Sequence, residues 1–131
     1  MPAAPLPADV LAFLAKPNPA VVASVQPDGS PLSVPTWYDL EADGLVLLNM
    51  DASRLRLSFI RRDPRVSLTV LDAATWYTHV SLLGRIVRIE NDPELVGIDR
   101  LARRYTGSPF RNREASRVSA WFEPDRWHRW S

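Results

Sequence analysis

The chain contains no cysteine. Disulfides, thiolate metal sites and cysteine nucleophiles are therefore excluded together, and the absence fits a reducing, cytoplasmic setting. Histidine is scarce as well, with only His79 and His128 among 131 residues. They lie on distant segments without a His-x-x-x-His spacing or an acidic cluster, so no metal site is expected. An excess of either charge is also lacking: 16 Lys and Arg against 15 Asp and Glu leave a formal +1. Nothing draws the chain toward nucleic acid or an anionic membrane in general, and any anion site must be local. No apolar run approaches the roughly 18 residues of a membrane span. Residues 1–20 lack a basic start followed by an apolar core, and Pro2, Pro5 and Pro7 interrupt any such run. The expectation is a soluble, cytoplasmic protein. Hydrophobic content of 46% and charged content of 24% are ordinary for a globular chain. One domain over residues 1–131 is expected, large enough to bury roughly two thirds of its unfolded surface.

What is present is mostly strand and turn. Ala8–Ala15 reads as a short amphipathic helix stopped by Lys16-Pro17-Asn18-Pro19. Ala20–Val25 is a strand, Pro27-Asp28-Gly29-Ser30 a turn, and Leu32–Asp39 an alternating strand carrying aromatics. Glu41-Ala42-Asp43-Gly44 turns the chain into Leu45–Met50, which makes two successive hairpins. A helix follows over Ser53–Arg62 with Leu55, Phe59 and Ile60 inward, ended by Asp63-Pro64. Arg65–Asp72 alternates, and Trp76–Glu90 is the longest strand candidate, with Gly84 marking a bulge. Asn91-Asp92-Pro93-Glu94 reads as a helix start, with Leu95, Ile98, Leu101 and Ala102 buried and Gly107 at the end. Arg117–Glu123 is the last strand, before a tail rich in tryptophan. About six strands and three helices, mostly joined by tight turns, favour an antiparallel β-barrel with peripheral helices.

Chemistry concentrates between Asn49 and Pro64. A strand runs into Ser53-Arg54-x-Arg56 at a helix start, where backbone N–H groups, the helix dipole and forked guanidinium donors suit a phosphate. The plainer reading is an N-capping Ser53 followed by two solvated arginines. Trp37 and Tyr38 are either barrel packing or the wall of a ring pocket beside Pro35. Proline in a strand leaves a gap in the ladder that a ligand edge could fill. His79 is more often structural than catalytic at such a position. Arg61, Arg62 and Arg65 make a basic run that is either a solvated face or a contact for an acidic ligand. Trp121, Trp127 and Trp130 are interface packing or a lid.

Five pieces in order carry a resemblance: Pro31-x-x-x-Pro35-Thr36-Trp37-Tyr38; Asn49-Met50-x-x-Ser53-Arg54-x-Arg56; Arg62-Asp63-Pro64-Arg65-Val66; Trp76-Tyr77-x-His79-Val80-x-Leu82-x-Gly84; and Arg104-Tyr105-Thr106-Gly107. Together they resemble the split β-barrel flavin and deazaflavin proteins related to pyridoxamine 5′-phosphate oxidase, over about Ala8 to Trp127. The pattern is most similar to the small actinobacterial branch that uses the 8-hydroxy-5-deazaflavin coenzyme F420. The resemblance implies a mainly β, six-stranded antiparallel split barrel with about three helices, forming a homodimer with cofactor sites at the interface. It implies that Ser53, Arg54 and Arg56 hold the phosphate, that Pro35, Thr36 and Trp37 lie against the ring, and that Asn49 and Met50 line the next strand. Trp76, Tyr77 and His79 would approach from the partner chain. Many relatives carry lysine where this chain has Arg56, which keeps charge but changes geometry.

The implied activity is hydride transfer between reduced F420 and a small conjugated acceptor such as an enone or a tetrapyrrole. The cofactor carries the chemistry and the protein supplies position and field, so no catalytic triad or metal is needed. Tyr77, His79 or water would supply the proton. Two rivals share the fold: an oxidase or flavin reductase using flavin mononucleotide (FMN), and a non-catalytic cofactor-binding module.

Overall fold

The computed structural model describes residues 1–131. Three helices, α1 (Ala8–Leu14), α2 (Leu55–Arg62) and α3 (Val96–Thr106), surround seven strands. The strands are β1 (Ala20–Val25), β2 (Pro31–Thr36), β3 (Asp39–Leu40), β4 (Val46–Asp51), β5 (Arg65–Leu71), β6 (His79–Asn91) and β7 (Arg117–Trp130). All neighbours pair antiparallel in one sheet of order β2-β1-β5-β6-β7-β4-β3. This is the expected mainly β split barrel, with one strand more than six. No helix is long and apolar enough to cross a membrane.

The inner face of the sheet makes the core. Val22, Leu68, Val70, Val80, Leu82, Ala120 and Phe122 alternate inward, joined by Val10 and Leu14 of α1 and Leu57 and Ile60 of α2. β2 lies at an edge of the sheet, which is why Pro31 and Pro35 are tolerated in it. Opposite Gly84 the register slips by one residue of β7, and a Cβ on Gly84 would strike the Glu123 carbonyl. The bulge expected there exists, but its extra residue, Asp125, belongs to the partner strand.

Four expectations need correction. The strand over Leu32–Asp39 breaks after Thr36, because Tyr38 turns fully inward and donates its hydroxyl to the carbonyls of Leu14 and Lys16. The helix expected from Ser53 begins at Leu55: Asp51 Oδ1 accepts both the N–H and the hydroxyl of Ser53 and holds it in a turn. Leu55 consequently points outward, 70% exposed, and Leu57, Phe59 and Ile60 are the buried set. The strand expected from Trp76 begins at His79, since Asp72 Oδ1 accepts the N–H groups of Ala74 and Thr75 and closes a turn through Trp76 and Tyr77. The tryptophan-rich end is strand rather than tail, because β7 pairs with β6 as far as Trp130 opposite His79.

The start of α3 also differs in detail. Asp92 does cap it, but through the N–H groups of Gly97 and Ile98, five and six residues on. Leu95 takes a left-handed φ of 62° between them, and Pro93 stays outside the helix. At the other end Gly107 terminates α3 as expected, with φ 80°.

Candidate functional site

Two cavities meet at the mouth formed by β2, β4, α2 and α3. The first, about 450 Å³, is lined by Pro35, Thr36, Trp37 and Asn49 on one side and by Ile98, Leu101, Tyr105 and Phe110 on the other. Its aromatic wall is ordered: Trp37 stacks on Tyr105 at 5.6 Å between centroids, and Phe110 meets Trp37 edge-on at 6.4 Å. Stacked aromatics beside a strand edge offer a flat slot suited to a ring system. The second, about 630 Å³, is lined by Leu32, Val34, Met50, Asp51, Ser53, Arg54 and Leu55. Pro35, Arg56 and Arg117 line both, so the two adjoin across these side chains.

The second cavity is electropositive. Arg54, Arg56 and Arg117 converge there, and Asp51 is the one carboxylate lining the basic cavity. Three guanidinium groups against one carboxylate leave two positive charges uncompensated. Burial lowers the pKa of Arg56, and the charges of Arg117 and Arg54 lower it further. Burial likewise lowers that of Arg117, against the opposing pull of Asp51 and Asp92. The Asp51 carboxyl is lowered chiefly by the Ser53 hydroxyl and N–H. Arg56 Nε is buried with no hydrogen-bond partner at all. A buried donor left unpaired costs stability, so its persistence beside two like charges points to an anion as the missing partner.

Each expected site residue has a definite place. Pro35, Thr36 and Trp37 line the aromatic cavity, with the Thr36 hydroxyl donating to the Trp37 carbonyl. Met50 is 3% exposed, and both it and Ser53 line the basic cavity. Asn49 lines the aromatic cavity but is only 6% exposed, and both ends of its amide have protein partners. Ser53 is not the helix cap; Arg54 occupies that position and no side chain caps α2. Trp76, Tyr77 and His79 stand apart from both cavities of their own chain. Trp76 and Tyr77 are 71% and 63% exposed, and His79 Nδ1 donates to the Tyr77 carbonyl at 2.8 Å. The two histidines, distant in sequence, lie 6.0 Å apart between ring centroids on β6 and β7. No group of three metal-ligating side chains forms anywhere.

Of the basic run, Arg65 is bound to Asp63 at 2.7 Å. Arg61 and Arg62 are exposed at the far end of α2, roughly 10 Å along the helix axis from Arg54. Sequence reading did not find Arg117, Tyr105 or Phe110 as site residues. Arg104-Tyr105-Thr106-Gly107 stood out as a motif, but its place beside Trp37 depends on how α3 packs. Trp121 is not a lid: it is buried, with Nε1 donating to Glu41 and Arg88 lying over its ring at 3.9 Å.

A family model described as pyridoxamine 5′-phosphate oxidase matches residues 6–131. Among solved structures, an F420 reductase is similar at 23% identity and TM-score 0.84, covering 94% of this chain and 98% of that one. A conserved hypothetical protein of Mycobacterium tuberculosis is similar at 27% identity and TM-score 0.75, covering 98% and 86%. The general stress protein 26 of Bacillus anthracis shares the fold at 16% identity and TM-score 0.67, covering 92% and 89%. No curated protein matches the chain.

Proposed function

The chain belongs to the pyridoxamine 5′-phosphate oxidase family, and on that premise we propose that it is an oxidoreductase that binds the deazaflavin coenzyme F420. Its substrate would be a small conjugated acceptor. The observation that carries the reading is the unpartnered Arg56 Nε between an aromatic slot and a basic cavity. Ring and phosphate are the two chemistries that such adjoining cavities serve. When bound, F420 supplies an obligate two-electron hydride donor that reacts poorly with oxygen. Arg54 and Arg56 would hold the phosphate, with Ser53 beside them. Trp37 and Tyr105 would present a flat wall to the ring, and Pro35, which has no N–H, would leave a strand edge open to it. A deazaflavin fits the excess of two positive charges, because its phosphodiester stands next to a lactyl carboxylate.

Proton supply follows from what the cavity lacks. No carboxylate or imidazole lines the aromatic cavity, and the Tyr105 hydroxyl is already committed to the Asn18 carbonyl at 2.7 Å. Burial also raises the Tyr105 pKa, which makes it a poorer acid. The proton would come from water, or from Tyr77 or His79 of a second copy in a homodimer. FMN is the second reading, favoured by the same charge excess, since a terminal phosphate monoester is close to dianionic.

Fluorescence titration with F420 and, separately, with FMN decides between them. Micromolar or tighter preference for F420, weakened at least tenfold (about 1.4 kcal/mol) by Arg54→Ala, is the expected result. Preference for FMN moves the chain to the oxidase or flavin-reductase reading. Binding of neither sinks the redox assignment.

A further inference from the structure

The Arg117 guanidinium sits in the shared wall of the two cavities without a bidentate carboxylate partner. Its one side-chain hydrogen bond runs from Nε to Asn49 Oδ1 at 2.9 Å, and the Phe110 ring lies 5.0 Å from its Cζ. Bonded only at Nε, the guanidinium keeps both terminal nitrogens for another acceptor. Asn49 in turn is fixed from behind. Its Nδ2 donates to Ser119 Oγ at 3.0 Å and to Asp92 Oδ2 at 3.1 Å, all of it buried. Two N–H donors on one side and an acceptor on the other leave the amide a single orientation, with Oδ1 toward Arg117. Asp92 is fixed by the first turn of α3, accepting from Gly97 at 3.0 Å and Ile98 at 2.9 Å. The packing admits nothing larger: a Cβ at position 97 would press into Ser119 Oγ and come within 3.2 Å of Asn49 Nδ2.

We propose that Arg117 is a third ligand for the cofactor phosphate, and that Asn49 is its positioning residue, acting through Arg117 rather than by touching the ligand. The proposal rests on the phosphate-cradle reading above and adds to it a residue 61 positions beyond Arg56. It also reassigns Asn49, whose two amide N–H donors are spent on Ser119 and Asp92 and whose Oδ1 already accepts from Arg117. A rigid arginine forgoes less entropy on binding than a free one, so the relay makes the cradle pre-organised. The same aspartate caps α3, so the wall carrying Ile98, Leu101 and Tyr105 and the phosphate ligand share one anchor.

The test uses three probes: F420, its phosphate-free chromophore 8-hydroxy-5-deazariboflavin, and inorganic phosphate followed by NMR. Arg117→Ala should weaken F420 at least tenfold and the chromophore less than twofold, with Arg117→Lys recovering part of the loss. Asn49→Ala should weaken F420 several-fold in the wild-type background and less than twofold when Arg117 is already alanine, because a positioning residue has nothing left to position. Unchanged F420 affinity in Arg117→Ala, equal loss of chromophore affinity, or an equal Asn49 effect in both backgrounds would overturn the assignment. If Asn49→Ala does not fold, the Arg117 variants decide alone. Should the wild-type protein bind neither cofactor, the redox reading fails, and inorganic phosphate decides this inference separately. Phosphate binding abolished by Arg117→Ala upholds it, and phosphate binding absent or indifferent to Arg117→Ala ends it.

Discussion

Arg56 is the residue at which stability and ligand binding pull in opposite directions. Its Nε is buried without a partner, and Arg54 and Arg117 repel it. A methionine of similar length would keep the packing while removing the orphaned donor and the repulsion. Arg56→Met is therefore expected to raise the stability of the ligand-free protein by about 1 kcal/mol, on the scale of one unsatisfied buried group. The same change should weaken a phosphorylated cofactor at least tenfold. Thermal unfolding without ligand and a parallel titration check both halves. A lower melting temperature together with unaltered affinity would show Arg56 to be an ordinary packing residue. At this scale Arg54 and Arg56 were legible in the sequence as a basic pair, because they stand two residues apart beside a recognisable strand end. Arg117 and Asn49 were not legible as a pair. They are 68 residues apart, and only the pairing of β4 with β7 brings them together.

Elements were legible where local turn chemistry decides them. Gly29 and Gly44 both take φ 88°, and the hairpins expected at Asp28-Gly29 and Asp43-Gly44 form between the strands on either side. Boundaries moved where a distant side chain overrides propensity, as Tyr38 does in ending β2 by reaching back to α1. Arg104 of α3 completes that junction. Its Nε donates to the Tyr38 carbonyl at 2.9 Å, and its Nη atoms donate to the carbonyls of Leu14, Ala15 and Lys16 at 3.1, 2.9 and 2.7 Å. These carbonyls lie at and just beyond the end of a helix with no basic residue in its own last turn, and those of Leu14 and Lys16 also accept from the Tyr38 hydroxyl. Asp39 balances the charge at 3.2 Å. Arg104→Ala would strip the Ala15 and Tyr38 carbonyls of their donor, while Leu14 and Lys16 keep the Tyr38 hydroxyl and Asp39 keeps Arg100 at 2.9 Å, and should cost about 2 kcal/mol. Denaturant titration should show a lower midpoint at constant slope, whereas an unchanged midpoint would mean that water replaces the guanidinium freely.

For the molecule as a whole, the outer face of the sheet remains uncovered. Val21, Ala23 and Val25 of β1, Thr69 and Leu71 of β5, and Ser81 and Leu83 of β6 point away from the core and carry no charge. Leu83 is 42% exposed, and Trp76, Tyr77 and Trp130 are 71%, 63% and 50% exposed near the same end of β6. A contiguous face of small and apolar side chains edged by exposed aromatics is unusual for a monomer and suits a second sheet. The motif Trp76-Tyr77-x-His79 was legible in the sequence, where the resemblance implies an approach from the partner chain, and within one chain it reaches neither cavity. We expect a homodimer in which this face is buried and that motif reaches the partner's cofactor site. Sedimentation at micromolar concentration should give twice the 14.8 kDa of one chain. Val21→Asp would bury a carboxylate against an apolar surface and should split the dimer, weakening cofactor binding along with it. Trp76→Ala should leave the dimer whole and weaken binding alone. A wild-type protein that sediments as a monomer would remove the shared site. A monomeric Val21→Asp variant with wild-type affinity would leave the dimer standing but place each cofactor site within a single chain.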